Sequence, residues 1–243
     1  MKQKGVSVAE VNDYVSKNVG NFHSARLASL SKLELKKILI RKNPYLFKAK
    51  NVLTSENLVR QLLDAHLSSQ EETMFGDFLE GLAIYICGSV YDGGKSSAEG
   101  VDLEFTKADI KYIVAIKSGP NWGNSSQIAR MIDNFKKAKK ILNTNSSRTN
   151  IVAVNGCCYG RDNGDKGDYL KYCGQVFWEF ISGNPDLYTE IVEPLGYEAK
   201  QKNEEFNKQY AILVNQFTSE FSKEFCPDGL IDWEKLVRLN SQK

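Results

Sequence analysis

Histidine is nearly absent: His23 and His66 are the only two in 243 residues. Cysteine is sparse as well. The five are Cys87, Cys173, Cys226 and the adjacent Cys157 and Cys158. An odd, scattered set excludes a disulfide framework, and with two histidines no zinc-ligand spacing forms. Long apolar runs are missing too. None approaches the roughly 20 residues that cross a bilayer, so no membrane partner is expected. The start, M-K-Q-K-G-V-S-V-A-E, lacks the apolar stretch of a secretory signal, which makes the cytosol the default location. Repeats and low-complexity linkers are also lacking.

What is present is charge, unevenly spread. The net charge is only +2, but the first 50 residues hold eleven Lys and Arg against Glu10, Asp13 and Glu34. Such a basic arm points to a polyanion partner or to a solvated helix face. Residues 7–20 and 24–42 have helical periodicity, the second with Leu27, Leu30, Leu33, Ile38 and Leu39 between lysines. Asn43-Pro44 ends that helix, because a residue before proline avoids the α region. Tyr45 and Phe47 follow among Lys42, Lys48 and Lys50. They suit a nucleic-acid surface, or Leu46 and Phe47 anchor a loop to the core.

Thr54 or Ser55 caps a helix to about Leu67, and a third helix covers about Glu71 to Val90. Two strand-like runs come next, Gly100 to Phe105 and Lys111 to Lys117, with Ala108-Asp109 in the turn. Ser125 or Ser126 caps a helix from Gln127 to about Leu142, and residues 150–155 read as a buried strand. Residues 156–173, rich in Gly, Asp and Tyr, read as a long loop of functional type. From Gln175 on the chain reads as mostly helical. The order implies one α/β domain over 1–243: a basic helical region to 70, a core over 71–160, then loop and C-terminal helices.

The chemistry concentrates in E-G-V-D-L-E-F and Y-I-V-A-I-K. Side chains alternate along a strand, so Asp102 and Glu104 share a face, as do Ala115 and Lys117. If the two runs pair, Asp102 and Lys117 converge. A carboxylate and an ammonium there can bind a hard divalent cation and orient a water. Mg²⁺ takes one or two carboxylates plus waters and phosphate, and a nearby lysine stabilises charge on the phosphate.

Asp102, the turn, Lys117 and a preceding helix bearing Glu80 resemble the PD-(D/E)XK nuclease superfamily. The longer run K-S-G-P-N-W-G-N-S-S-Q, with V-N-G-C-C-Y-G-R, is similar more narrowly to bacterial type II restriction endonucleases. The resemblance implies a restriction-endonuclease-like mixed sheet flanked by helices, in a bacterial cytoplasmic protein. It also implies Mg²⁺-dependent, site-specific cleavage of double-stranded DNA, with Mn²⁺ as substitute, by a homodimer on a palindromic site. By position, Asp102 is the metal-bridging carboxylate and Lys117 the catalytic lysine. The acid expected two residues before the lysine is replaced by Ala115. Glu80 ranks first as its substitute, Glu104 second and Asp133 third. Asp102, Glu80 and Ile116 form the expected metal set. Asn124, Ser126 and Gln127 are expected at DNA phosphate, with Lys42, Lys48 and the 136–140 lysines. Arg161 and Lys166, with Tyr159 and Asn163, are the candidate base readers. The alternatives are a structure-specific or repair nuclease on the same fold, and a DNA-binding protein with a dead nuclease core.

Overall fold

A computed structural model describes residues 6–145, 150–196 and 199–242. The chain order begins with helices α1 (Val8–Leu30), α2 (Leu35–Arg41), α3 (Pro44–Ala49) and α4 (Ser55–Tyr91). The hairpin β1 (Leu103–Lys107) and β2 (Ile110–Lys117) follows, then α5 (Ser125–Asn145) and β3 (Asn150–Cys157). Next are β4 (Gly164–Asp165), β5 (Leu170–Cys173), α6 (Gln175–Ser182), α7 (Leu187–Glu190) and α8 (Val192–Leu195). The last helices are α9 (Ala199–Phe225) and α10 (Trp233–Ser241).

The described residues gather into two compact units. One holds residues 6–19 and 75–196, the other 20–74 and 199–242. These divide the chain at other places than 70 and 160. Helices α1 and α4 contribute residues to both.

The first unit is built on a mixed sheet in the order β1-β2-β3-β5-β4. Pairing is antiparallel for β1/β2 and β4/β5 and parallel for β2/β3 and β3/β5. The hairpin turn uses Ala108 (φ 49°) and Asp109 (φ 60°), both in the left-handed region that primed turns need. Alternation along β2 separates two cores. Val114 and Ile116 pack with Leu79, Leu82, Ala83 and Ile86 of α4 and with Phe177, Trp178 and Ile181 of α6. Ile113 and Ala115 face the other way, onto Met131, Phe135 and Ala138 of α5. The sheet thus has helices on both faces, as the α/β reading implies.

The second unit is helical. Leu35, Ile38 and Leu39 of α2, Phe47 of α3, Leu58, Leu62 and Leu63 of α4, and Phe217, Phe221 and Phe225 of α9 form its core. Asn43 caps α3 by accepting the N–H of Tyr45 (3.0 Å) and Leu46 (3.4 Å), with Pro44 in the first turn where its missing N–H costs nothing. The expected aromatic loop is therefore a helix. Phe47 is its buried anchor, while Tyr45 and Leu46 are exposed.

Several boundaries differ from the sequence reading. The helices expected at 7–20 and 24–42 are α1 and α2, broken at 31–34 rather than at 21–23. The two expected over 54–67 and 71–90 are one helix, because the polar 68–72 stretch contains no glycine or proline to break it. Among the described helices, α4 is long and apolar enough to cross a bilayer by length and composition alone. Its Leu58, Leu62, Leu63, Leu82 and Ile86 are instead buried in the two cores. The expected loop 156–173 holds the end of β3 and all of β4 and β5. Leu170–Cys173 pairs parallel to Val154–Cys157, too short a run for its period to show.

Gly156 on β3 faces α6, where a Cβ would lie 2.2 Å from the Phe177 ring. Gly156→Ala is expected to cost roughly 1–3 kcal/mol through overpacking. Urea denaturation should show it, with partial recovery when Phe177→Leu is added.

Candidate active site

Asp102 stands one residue before β1. Its backbone N–H donates to the Val114 carbonyl (2.8 Å), and its Oδ2 accepts the Ile116 N–H at 2.7 Å. A side-chain oxygen thus takes the place of a strand carbonyl at the open end of the hairpin. The same Oδ2 lies 3.7 Å from Lys117 Nζ. Both side chains are partly exposed. The convergence expected of the two strands is present.

Glu80 reaches this place from α4. Its carboxyl is raised above the ordinary range, first by burial and then by the Asp102 charge, while Lys95 and Lys117 pull the other way. Two carboxylates acting on each other this way favour a shared proton or cation. Glu80 also lies 3.7 Å from Lys95 and lines an open hollow of about 380 Å³ with Asp77, Gly81, Ile84 and Lys95. Helix α4 passes the sheet here at ordinary contact distance: a Cβ on Gly76 would lie 3.8 Å from Ser118, just past Lys117. Ala83, three residues on, is buried in the core.

The other two substitutes are not brought here. Glu104 pairs with Lys111 (3.4 Å) further along the hairpin, and Asp133 is exposed on α5 beside Lys137 (2.7 Å). Ile116 has its side chain in the core, so only its carbonyl is left to a ligand. Ala115 is 1% exposed among apolar groups.

Among the described residues no group of three or more His, Cys, Asp or Glu is gathered to hold a metal ion. Asp102 and Glu80 are two carboxylates, the number Mg²⁺ commonly uses when water and phosphate complete its shell. The donor set fits a hard cation. The cysteines do not compete for that role: all five are free, and burial pushes the Cys87 and Cys157 thiols up to about 12.

The sequence reading missed several residues that shape the site. Lys95 and Asp77 share the hollow with Glu80. Lys171 is 8% exposed and donates to Pro120 O (2.9 Å) and Asp162 Oδ2 (2.7 Å), tying the loops after β2 and β3 together. Their contact is close: a Cβ on Gly119 would strike Tyr159, and one on Gly160 would strike Pro120. The i, i+3 spacing of Asp77 and Glu80 was the one signal in the sequence.

The expected DNA contacts are spread out. Asn124 and Gln127 form a capping box at α5, Gln127 N–H to Asn124 Oδ1 and Asn124 N–H to Gln127 Oε1, each 3.0 Å. Asn124 is therefore the cap, not Ser125 or Ser126; Ser126 is exposed in the first turn. Arg161 is exposed and lines a hollow with Tyr159, Asn163, Gln175 and Tyr188. Lys166 pairs with Asp162 (3.1 Å) and Lys136 with Asp168 (3.1 Å). Lys42 and Lys48 belong to the helical unit, donating to Ala65 O (3.3 Å) and lying over Trp233 respectively.

A carboxylate hairpin with a lysine, on a mixed sheet between helices, defines a nuclease-type α/β protein. Residues 9–203 match the family Type II restriction endonuclease EcoO109I, well over half of the chain, and the chain belongs to that family. No curated protein matches it.

Because Ala115 is packed against Met131 and Phe135, Ala115→Glu should bury a carboxylate in an apolar layer. The expected cost is roughly 2–4 kcal/mol, read as a lowered urea midpoint. Wild-type stability in the variant would show instead that the added acid reaches the Asp102 side.

Proposed function

We propose that the chain is a Mg²⁺-dependent, site-specific endonuclease of double-stranded DNA, with Glu80 supplying the carboxylate missing at Ala115. The observation that carries this reading is the Asp102–Lys117 approach at 3.7 Å, with Glu80 near enough that, after burial, the Asp102 charge helps to raise its carboxyl. Asp102 and Glu80 would hold the ion, with the Ile116 carbonyl as a further oxygen. When bound, Mg²⁺ polarises a phosphodiester and lowers the pKa of a water. The protein's own groups do the rest. The Ile116 N–H fixes Asp102 in one orientation. Lys117 offers ammonium donors to phosphate oxygens, where negative charge grows during hydrolysis. Arg161 and Lys166 would read bases, and Lys42, Lys48 and the helix start at Asn124, Ser126 and Gln127 would hold phosphates, which fixes position without reading sequence. A homodimer on a palindromic site completes the reading.

Plasmid DNA incubated with the chain and Mg²⁺ should give discrete fragments whose sequenced ends share one motif. A smear would point to a nuclease without site choice, and retained DNA without cutting to a dead core. Glu80→Gln should slow cutting by about 10²–10³-fold, the scale of a lost electrostatic contact to reacting charge, with DNA retention in gel shifts preserved. Full activity of Glu80→Gln would remove Glu80 from the site.

The pH dependence follows from the direction of the Glu80 shift. A raised carboxyl is protonated at pH values where an ordinary glutamate is already ionised. Its cation-holding form is therefore lost, as pH falls, earlier than usual. The acid limb of the cleavage rate should lie above the ordinary glutamate range and move to lower pH as Mg²⁺ is increased. A limb unaffected by Mg²⁺ would assign it to another group.

A further inference from the structure

Beside Ala115, on the same face of the sheet, three side chains are joined in a way that the reading so far does not use. Asn155 is the register partner of Ala115 across β2/β3 and is 1% exposed. Its Nδ2 donates to the Ala115 carbonyl (3.2 Å), and its Oδ1 accepts the Trp122 indole N–H (3.2 Å). The Trp122 ring packs on the α5-facing core and carries Lys117 Nζ 5.3 Å from its centroid. A buried amide is thus spent on orienting one indole, and that indole faces the lysine ammonium. An ammonium at this range is attracted by the ring's negative face.

We propose that Trp122, held by Asn155, is a positioning residue for Lys117, its ring drawing the ammonium into place by cation–π attraction. The inference rests on the nuclease reading above. Asp102 holds the ammonium from one side at 3.7 Å, and the indole holds it from another. The small Ala115 side chain belongs to the same arrangement: Asn155 and Trp122 lie on the face that a longer side chain would enter. A neutral ring fixes the ammonium without competing for a cation or repelling a phosphate.

The test uses the full chain with fluorinated tryptophans placed at position 122 alone, which weaken the ring's negative face while keeping its shape. Each is assayed on duplex DNA with Mg²⁺. The maximal cleavage rate should fall stepwise with fluorine number, by about 2–5-fold for the most fluorinated ring, the range of a partly exposed cation–π contact. KM for the duplex should stay within about twofold. Asn155→Leu should slow cutting in the same way, and in that background the fluorine series should flatten. Rates indifferent to fluorine, or a KM that rises at constant kcat, would overturn the proposal, the second by making Trp122 a DNA contact. If the unmodified chain cuts no DNA, the nuclease reading falls and this inference falls with it.

Discussion

The hydrogen bond from the Ile116 N–H to Asp102 Oδ2, 2.7 Å long, is the constraint on which the site depends. It makes a carboxylate part of the strand ladder. A free aspartate at a strand end samples several rotamers, but this one is fixed by a charge-assisted bond to the backbone. Lys117, next in the chain after Ile116, is thereby held within 3.7 Å of the same oxygen. The geometry of β1 and β2 and the chemistry of the pair cannot be separated. The helix α4 then brings Glu80 toward the same end of the sheet, with Leu79, Leu82 and Ile86 as its seat on Val114 and Ile116.

Position 115 is explained by the faces of the sheet. Ile113 and Ala115 belong to the layer under α5, which is apolar and closed. Glu80 comes from the α4 side. On the proposed reading the second carboxylate has moved from the strand to the helix, and the space beside Ala115 belongs to Asn155 and Trp122. A buried asparagine with both amide groups satisfied is stable where a buried carboxylate would be costly.

The Asp102–Lys117 pair of the candidate site was legible in the sequence. Period-two alternation placed Asp102 with Lys117, and the order of elements gave the α/β class. The resemblance to restriction enzymes was carried by a run that the family match contains. What stayed hidden depends on contacts between distant segments. Lys171, Asn155 and Trp122 have no local pattern; each is fixed in part by a partner 33 or more positions away. Strand β5 was read as loop because four residues give no period, and only pairing to β3 makes Leu170–Cys173 a strand. The break expected near 68–70 did not occur because polar residues without a glycine or proline among them do not end a helix. The cap at Asn124 was read one or two residues late because serine and asparagine serve equally in that role.

The central claim is that Glu80 and Asp102 together hold the cation. Crystals of the chain grown with Mn²⁺ and measured at the manganese absorption edge test it directly, since the anomalous peak locates the ion without reference to activity. The account predicts a peak between the Glu80 and Asp102 carboxylates, lost in Glu80→Gln. A peak at Glu104 or Asp133, with none beside Glu80, would contradict it.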